Sequence, residues 1–186
     1  MDNSQFELRS TSGIKLDGNT VSGLAIPYNS PSKPLPFIET ILPGAASEFL
    51  RSKPTIRALM EHSPSLILAK YPTNLTLTES DAGVSYSFKL PDTTAGRDCR
   101  SLLENGTIQG ASFWLSVPKG GDSWTRKDNV NHRSISKMAF PEMSLVSDPC
   151  YTDTTASLRS FNAFTESLNT NVDNDTLRRI VDSWGF

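Results

Sequence analysis

Short apolar segments, each closed by a cluster of turn residues, exclude a helical bundle over the first half of this chain. Phe6-Glu7-Leu8-Arg9 alternates apolar and charged residues, the period of a strand with one buried face. Lys15-Leu16, the turn Asp17-Gly18-Asn19-Thr20 and the run Val21 to Ile26 form a hairpin pattern. Phe37 to Ile41, Ile56 to Met60, Leu66 to Lys70, Leu75 to Glu79 and Val84 to Leu90 continue the series. The last two are joined through the turn-rich tetrad Ser80-Asp81-Ala82-Gly83. Asn29 to Pro36 carries Pro31, Pro34 and Pro36 and reads as a loop, because proline cannot donate to a ladder.

Helical patterning is confined to a few places. Pro43 suits the start of a short helix over Gly44 to Arg51. Between Thr94 and Asn105, Ala95, Cys99, Leu102 and Leu103 fall on one helical face. Asp92, Thr93 or Thr94 is available as a cap, and Gly106 stands where a helix ends. Ala111 to Val117 is a strand, Pro118 to Asn131 a polar loop, and Arg133 to Phe140 and Met143 to Val146 a closing pair of strands. From Ser160 to Thr176 the composition shifts to Asn, Thr, Ser and Asp, a linker composition. Leu177, Ile180, Val181 and Trp184 then mark a short amphipathic helix. The expected fold is α+β and mostly β, a barrel or open barrel with peripheral helices. The expected domains are 1–159, a compact unit, and 160–186, a flexible linker with a short C-terminal helix.

A length of 186 residues supports one domain with a real core. A net charge of −2 with no basic run argues against nucleic acid or an anionic membrane surface as partner. No apolar stretch approaches the roughly 20 residues that span a bilayer. Met1 to Gln5 lacks the basic and apolar segments of a secretion signal, so a cytosolic protein is expected. Cys99 and Cys150 form neither a disulfide framework nor a metal-ligand spacing, and no metal or cofactor is expected.

The segment Gly106-Thr107-Ile108-Gln109-Gly110-Ala111-Ser112-Phe113-Trp114-Leu115 places a serine early in an apolar strand. A serine hydroxyl needs a base, and an imidazole is suited to the task by a pKa near neutrality. The chain has two histidines, His62 and His132. His62 follows the apolar run Ile56 to Met60, and Glu142 stands between the apolar segments that flank Pro141. Spacing alone leaves the bland readings open: a strand serine bonded to nearby backbone, a surface-loop histidine and a solvated edge glutamate. Cys150 is a second candidate nucleophile, but nothing near it in sequence lowers its pKa, and it reads as a packed small residue.

Several segments, in order, resemble the tailed-phage prohead maturation proteases. They are Arg57-Ala58-Leu59-Met60-Glu61-His62-Ser63-Pro64, then Leu90 to Asp98, Gly106 to Phe113, and Pro141-Glu142-Met143-Ser144-Leu145-Val146 with Pro149. Gly23 to Ser30 and Ile41 to Ala45 resemble the opening segments of that family, and the likeness extends over Val21 to Arg159. The sequence departs from the family pattern at Ser63, where an aspartate commonly stands, and at Ala111 and Trp114, where methionine and glycine are common. These changes bear on specificity more than on activity.

The resemblance implies a serine endopeptidase related in fold to the herpesvirus assemblins, a β-barrel ringed by helices, with 1–159 as the prohead protease domain. It implies Ser112 as nucleophile, His62 as general base and Glu142 as third member. His132 is the alternative third member, since assemblins use a second histidine. Arg126 and Arg133 are candidate electrostatic helpers. The implied substrates are the phage scaffolding protein or the scaffolding segment of the major capsid protein, and the protease itself. The implied setting is the assembling prohead in the host bacterial cytoplasm, and a weak homodimer is the expectation from assemblin-like enzymes. Two other hypotheses stand beside it: a catalytically inactive virion scaffold or structural protein with the same fold, and a hydrolase with Cys150 beside His62.

Overall fold

A computed structural model describes residues 7–32, 37–149 and 161–167. Its largest sheet contains β1 (Glu7–Ser12), β5 (Ile56–Met60), β6 (Ser63–Tyr71), β9 (Gly110–Ser116) and β12 (Ala139–Val146), in the order β1-β9-β12-β5-β6. The β12–β5 pair is parallel and the others are antiparallel. A four-stranded sheet is ordered β2-β3-β8-β7, from Lys15–Asp17, Thr20–Pro27, Gly83–Lys89 and Leu75–Ser80. A three-stranded sheet is ordered β10-β11-β4, from Asp122–Lys127, Val130–Ile135 and Phe37–Ile41.

Period-two alternation decides which face of the large sheet meets the core. Ala111, Phe113 and Leu115 of β9, Met143 and Leu145 of β12, and Ala58 and Met60 of β5 join the apolar cluster with Val21, Ile26, Val84 and Phe88. The intervening residues Ser112, Trp114, Glu142 and Ser144 therefore share the opposite face. Helix α1 (Ser47–Arg51) is short. Helix α2 (Thr94–Glu104) buries Cys99 and Gly96, and a Cβ on Gly96 would lie 2.0 Å from the Pro91 carbonyl oxygen. Thr93 caps α2 by accepting a bond from the Gly96 N–H at 3.2 Å. Thr93→Ala is expected to lower stability by about 1 kcal/mol, measured as a shifted denaturant midpoint with an unchanged slope.

The β-barrel that the resemblance implies does not close, which corrects that expectation. Among the described residues β1 and β6 end the five-stranded sheet, and the ladders divide into three sheets. Closure needs a backbone ladder at each seam. At the seam between β1 and β3, the Thr11 hydroxyl donates to the Leu24 carbonyl at 2.7 Å, beside a register shift between Leu24 and Ile26. The sheets pack; they do not merge.

The strand assignments hold with instructive exceptions. Pro118 to Asn131, expected as a loop, contains β10 and the start of β11, joined at Asp128-Asn129, both with positive φ. Of the closing pair expected over Arg133 to Phe140 and Met143 to Val146, Arg133 to Ile135 belong to β11, while Ala139 and Phe140 run on through Pro141 into one strand, β12, with a register shift between Ala139 and Glu142. A bulge is where a strand tolerates proline.

A buried ion network joins the five- and three-stranded sheets. Arg9 of β1 bonds Glu39 of β4 at 2.6 Å and Glu7 at 2.7 Å. Arg133 of β11 bonds Glu7 at 2.6 Å, Glu39 at 3.0 Å and Asp122 of β10 at 2.7 Å. Burial opposes the charge of Arg9, but Glu39 and Glu7 outweigh it, and both guanidinium pKa values are held above the ordinary range. Within the segment expected as a linker, 161–167 forms a helix, α3. Its Phe161 stacks on Phe37 at 5.5 Å, and Phe164 stacks on Trp124 at 5.3 Å. The expected helix Leu177 to Trp184 lies outside the described residues.

Candidate active site

Strands β5 and β6 are joined by the two-residue turn Glu61-His62, with φ of 52° and 54°. Such a turn requires positive φ at both positions and is usually built from Asn and Gly, because a Cβ is disfavoured there. Here both residues carry long side chains, and four contacts to β12 and its end hold them in place. The Glu61 N–H donates to the Leu145 carbonyl at 3.0 Å, and the Glu61 Oε1 accepts from the Ser147 N–H at 2.7 Å. The His62 N–H donates to Ser144 Oγ at 3.1 Å, and His62 Nδ1 meets Glu142 Oε1 at 2.7 Å. Backbone strain at a clamped turn is a recurrent mark of a functional residue.

This clamp fixes the chemistry of the imidazole. The carboxylate accepts the Nδ1 proton, so in the neutral ring the other nitrogen, Nε2, carries the lone pair. Nε2 is buried and has no hydrogen-bond partner among the described residues. The ring stacks on Trp114, with centroids 5.9 Å apart and planes at 25°. Glu142 is 4% exposed and Ser144 is fully buried. The Ser144 hydroxyl donates to Glu142 Oε1 at 2.7 Å, the same oxygen that faces His62.

Ser112 lies directly across from Ser144 in the β9–β12 pairing, as Trp114 lies across from Glu142. All four side chains thus occupy one patch on the sheet face opposite the core. Ser112 is 2% exposed, and its hydroxyl donates to the Arg9 carbonyl of β1 at 2.9 Å. Gly110, two residues earlier, leaves room for this close strand passage, since a Cβ there would lie 2.4 Å from the Thr11 carbonyl oxygen.

The structure therefore joins His62 to Glu142 and sets Ser112 on their face, bonded to Arg9 and not to the imidazole. His132, the alternative third member, belongs to β11 in the three-stranded sheet, paired with Thr125 and Ile38. Arg133 is committed to the buried ion network and lies 5.6 Å from the Trp124 ring centroid, while Arg126 is exposed on β10. Cys150 lies outside the described residues. Cys99 is on the buried face of α2, and desolvation pushes its thiol up to about 12, which keeps it protonated. Ser144 was legible only as part of the Pro141 to Val146 motif. The Glu142-x-Ser144 spacing on a strand is the signal that both share a face.

A histidine with one nitrogen held by a carboxylate, on the same sheet face as a strand serine, supplies the base-and-carboxylate half of the arrangement used by serine hydrolases. The family model of the caudovirus prohead serine proteases matches residues 4–167, and the chain belongs to that family. Its members are serine peptidases of phage capsid maturation that act inside the assembling capsid. Neither the curated proteins nor the solved structures gave a match. Among the described residues, no helix is long and apolar enough to cross a membrane.

Proposed function

We propose that this protein is an endopeptidase in which Ser112 is the nucleophile, His62 the general base and Glu142 the orienting carboxylate. Its substrates are phage scaffolding or capsid proteins and its own C-terminal region. The observation that carries this reading is the His62 Nδ1–Glu142 bond at 2.7 Å, with Nε2 unpartnered among the described residues and Glu142 on the sheet face that bears Ser112.

The Ser112 hydroxyl first turns from the Arg9 carbonyl toward Nε2. Oγ then attacks the scissile carbonyl carbon as Nε2 takes its proton, and the imidazolium is stabilised by Glu142. Collapse of the tetrahedral intermediate breaks the C–N bond, and Nε2 returns the proton to the departing amine. Water, deprotonated in turn by Nε2, attacks the acyl-enzyme and releases the carboxylic acid and the free serine. Trp114 stacks on the base and borders this face, a position from which it limits the side chains accepted beside the scissile bond.

Glu142→Gln keeps the shape of the orienting group but lets Nδ1 act as an acceptor, which favours the wrong tautomer. It is expected to lower kcat by on the order of 10⁴-fold with little change in stability, read from single-turnover cleavage and thermal denaturation. The reading as a whole is tested by co-expression with the phage capsid and scaffolding proteins, followed by intact mass spectrometry. Truncation of a partner or of this chain, absent with Ser112→Ala, supports the peptidase. Full-length masses for every protein favour the inactive-scaffold reading.

A further inference from the structure

We infer that Ser144 is a positioning residue for the His62–Glu142 pair, holding both members through one buried hydroxyl. The inference rests on the proposed catalytic roles of those two residues. A serine hydroxyl has one hydrogen to donate and two lone pairs to accept. Here the hydrogen goes to Glu142 Oε1 at 2.7 Å, and a lone pair receives the His62 N–H at 3.1 Å. Glu142 Oε1 also faces His62 Nδ1 at 2.7 Å. Main-chain nitrogen, serine oxygen, carboxylate oxygen and ring nitrogen form a closed circuit that includes both the backbone and the ring of one histidine.

The circuit solves two problems at once. His62 sits at φ 54°, a conformation a non-glycine residue keeps only where its surroundings enforce it, and its N–H needs an acceptor. Glu142 needs its carboxylate turned so that one oxygen lies on the Nδ1 axis, and the Ser144 hydroxyl fixes that rotation. Because Ser144 follows Glu142 by two on a strand, the two side chains project from the same face without any loop between them. Ser144 is not itself a rival nucleophile. Its hydrogen is engaged by Glu142 on the Nδ1 side of the ring, whereas the unpartnered nitrogen is Nε2. Nor is it equivalent to any small residue, since alanine removes the acceptor of the His62 N–H at a partly buried turn.

The test uses the full chain labelled with ¹⁵N-histidine. The sequence has two histidines, so His132→Asn assigns the His62 resonances by subtraction. In the wild type, His62 is expected as a single Nδ1–H tautomer with a downfield, exchange-protected proton. Ser144→Ala is expected to give a mixed tautomer with a broadened proton signal, and kcat lower by about 10- to 100-fold at nearly constant KM. Ser144→Thr, which keeps the hydroxyl, is expected to restore the tautomer and most of kcat. If Ser144→Ala loses its near-ultraviolet tryptophan signal, Ser144→Cys, similar in size with a weak donor, replaces it in the same measurements.

An unaltered His62 spectrum in the folded variant overturns the inference, as does an altered spectrum with wild-type kcat. A lower melting temperature with both readouts unchanged also overturns it, because that is what a purely structural serine gives. If the wild type cleaves nothing, the peptidase reading fails, while the tautomer measurement still decides whether Ser144 positions the pair.

Discussion

Ser112→Ala is expected to lower cleavage of the chain and of its protein substrates by roughly 10⁴- to 10⁶-fold, the loss seen when a nucleophile of a coupled serine–histidine unit is removed. The fold should survive. In the structure the Ser112 hydroxyl makes one bond, to the Arg9 carbonyl at 2.9 Å, and a single such bond is worth about 1 kcal/mol. The variant therefore separates chemistry from stability. His62→Ala should be comparably inactive, and the double variant scarcely worse than either single one, because residues that act as a unit are not additive. Time-resolved intact mass spectrometry, with thermal denaturation run beside it, checks all of these outcomes. Comparable cleavage by the Ser112→Ala chain would assign the nucleophile elsewhere.

Arg133→Met is expected to be the most destabilising of the single substitutions considered, by about 3–5 kcal/mol. Arg133 is 2% exposed and contacts Glu7, Glu39 and Asp122, so its loss removes one of the two guanidinium groups that the buried carboxylates Glu7 and Glu39 share, with Arg9 as the other. The penalty is the burial of uncompensated charge, which exceeds what the pair adds over an apolar replacement. For a chain of this size the expected fall in Tm is on the order of 10 °C. The network also holds β1, whose Arg9 carbonyl meets the Ser112 hydroxyl, so loosening it should raise proteolytic susceptibility at the N-terminal strand before the remainder unfolds. A Tm within about 2 °C of the wild type would show that water or rearrangement compensates the carboxylates, contrary to the account.

Much of the architecture was legible because β-structure writes itself into local alternation. The hairpin at Asp17-Gly18, the paired runs around Ser80 to Gly83 and the amphipathic face with Cys99 all appear in the structure. Pro141 misled, because a local reading treats proline as a strand break, whereas β12 absorbs it at a bulge. The β10–β11 hairpin was missed because Trp124, Arg126 and His132 lie among polar residues. Its Asp128-Asn129 turn was the available clue.

At the site, the residue types were readable but their meeting was not. His62 and Glu142 are separated by 80 positions, and their contact depends on the parallel pairing of β5 with β12, which no local pattern encodes. Strand number left a barrel or an open barrel, and the resemblance pointed to the barrel. Whether strands close into one ladder or three depends on edge pairing, which alternation does not specify.

The most direct measurement is covalent trapping of the nucleophile. The full chain is incubated with an alkyl fluorophosphonate, digested, and mapped by peptide mass spectrometry. The account predicts one adduct, on Ser112 in the peptide spanning β9, with the labelling rate reduced by at least about 100-fold in His62→Ala. An adduct on another residue, or equal labelling of Ser112 with and without His62, would contradict it.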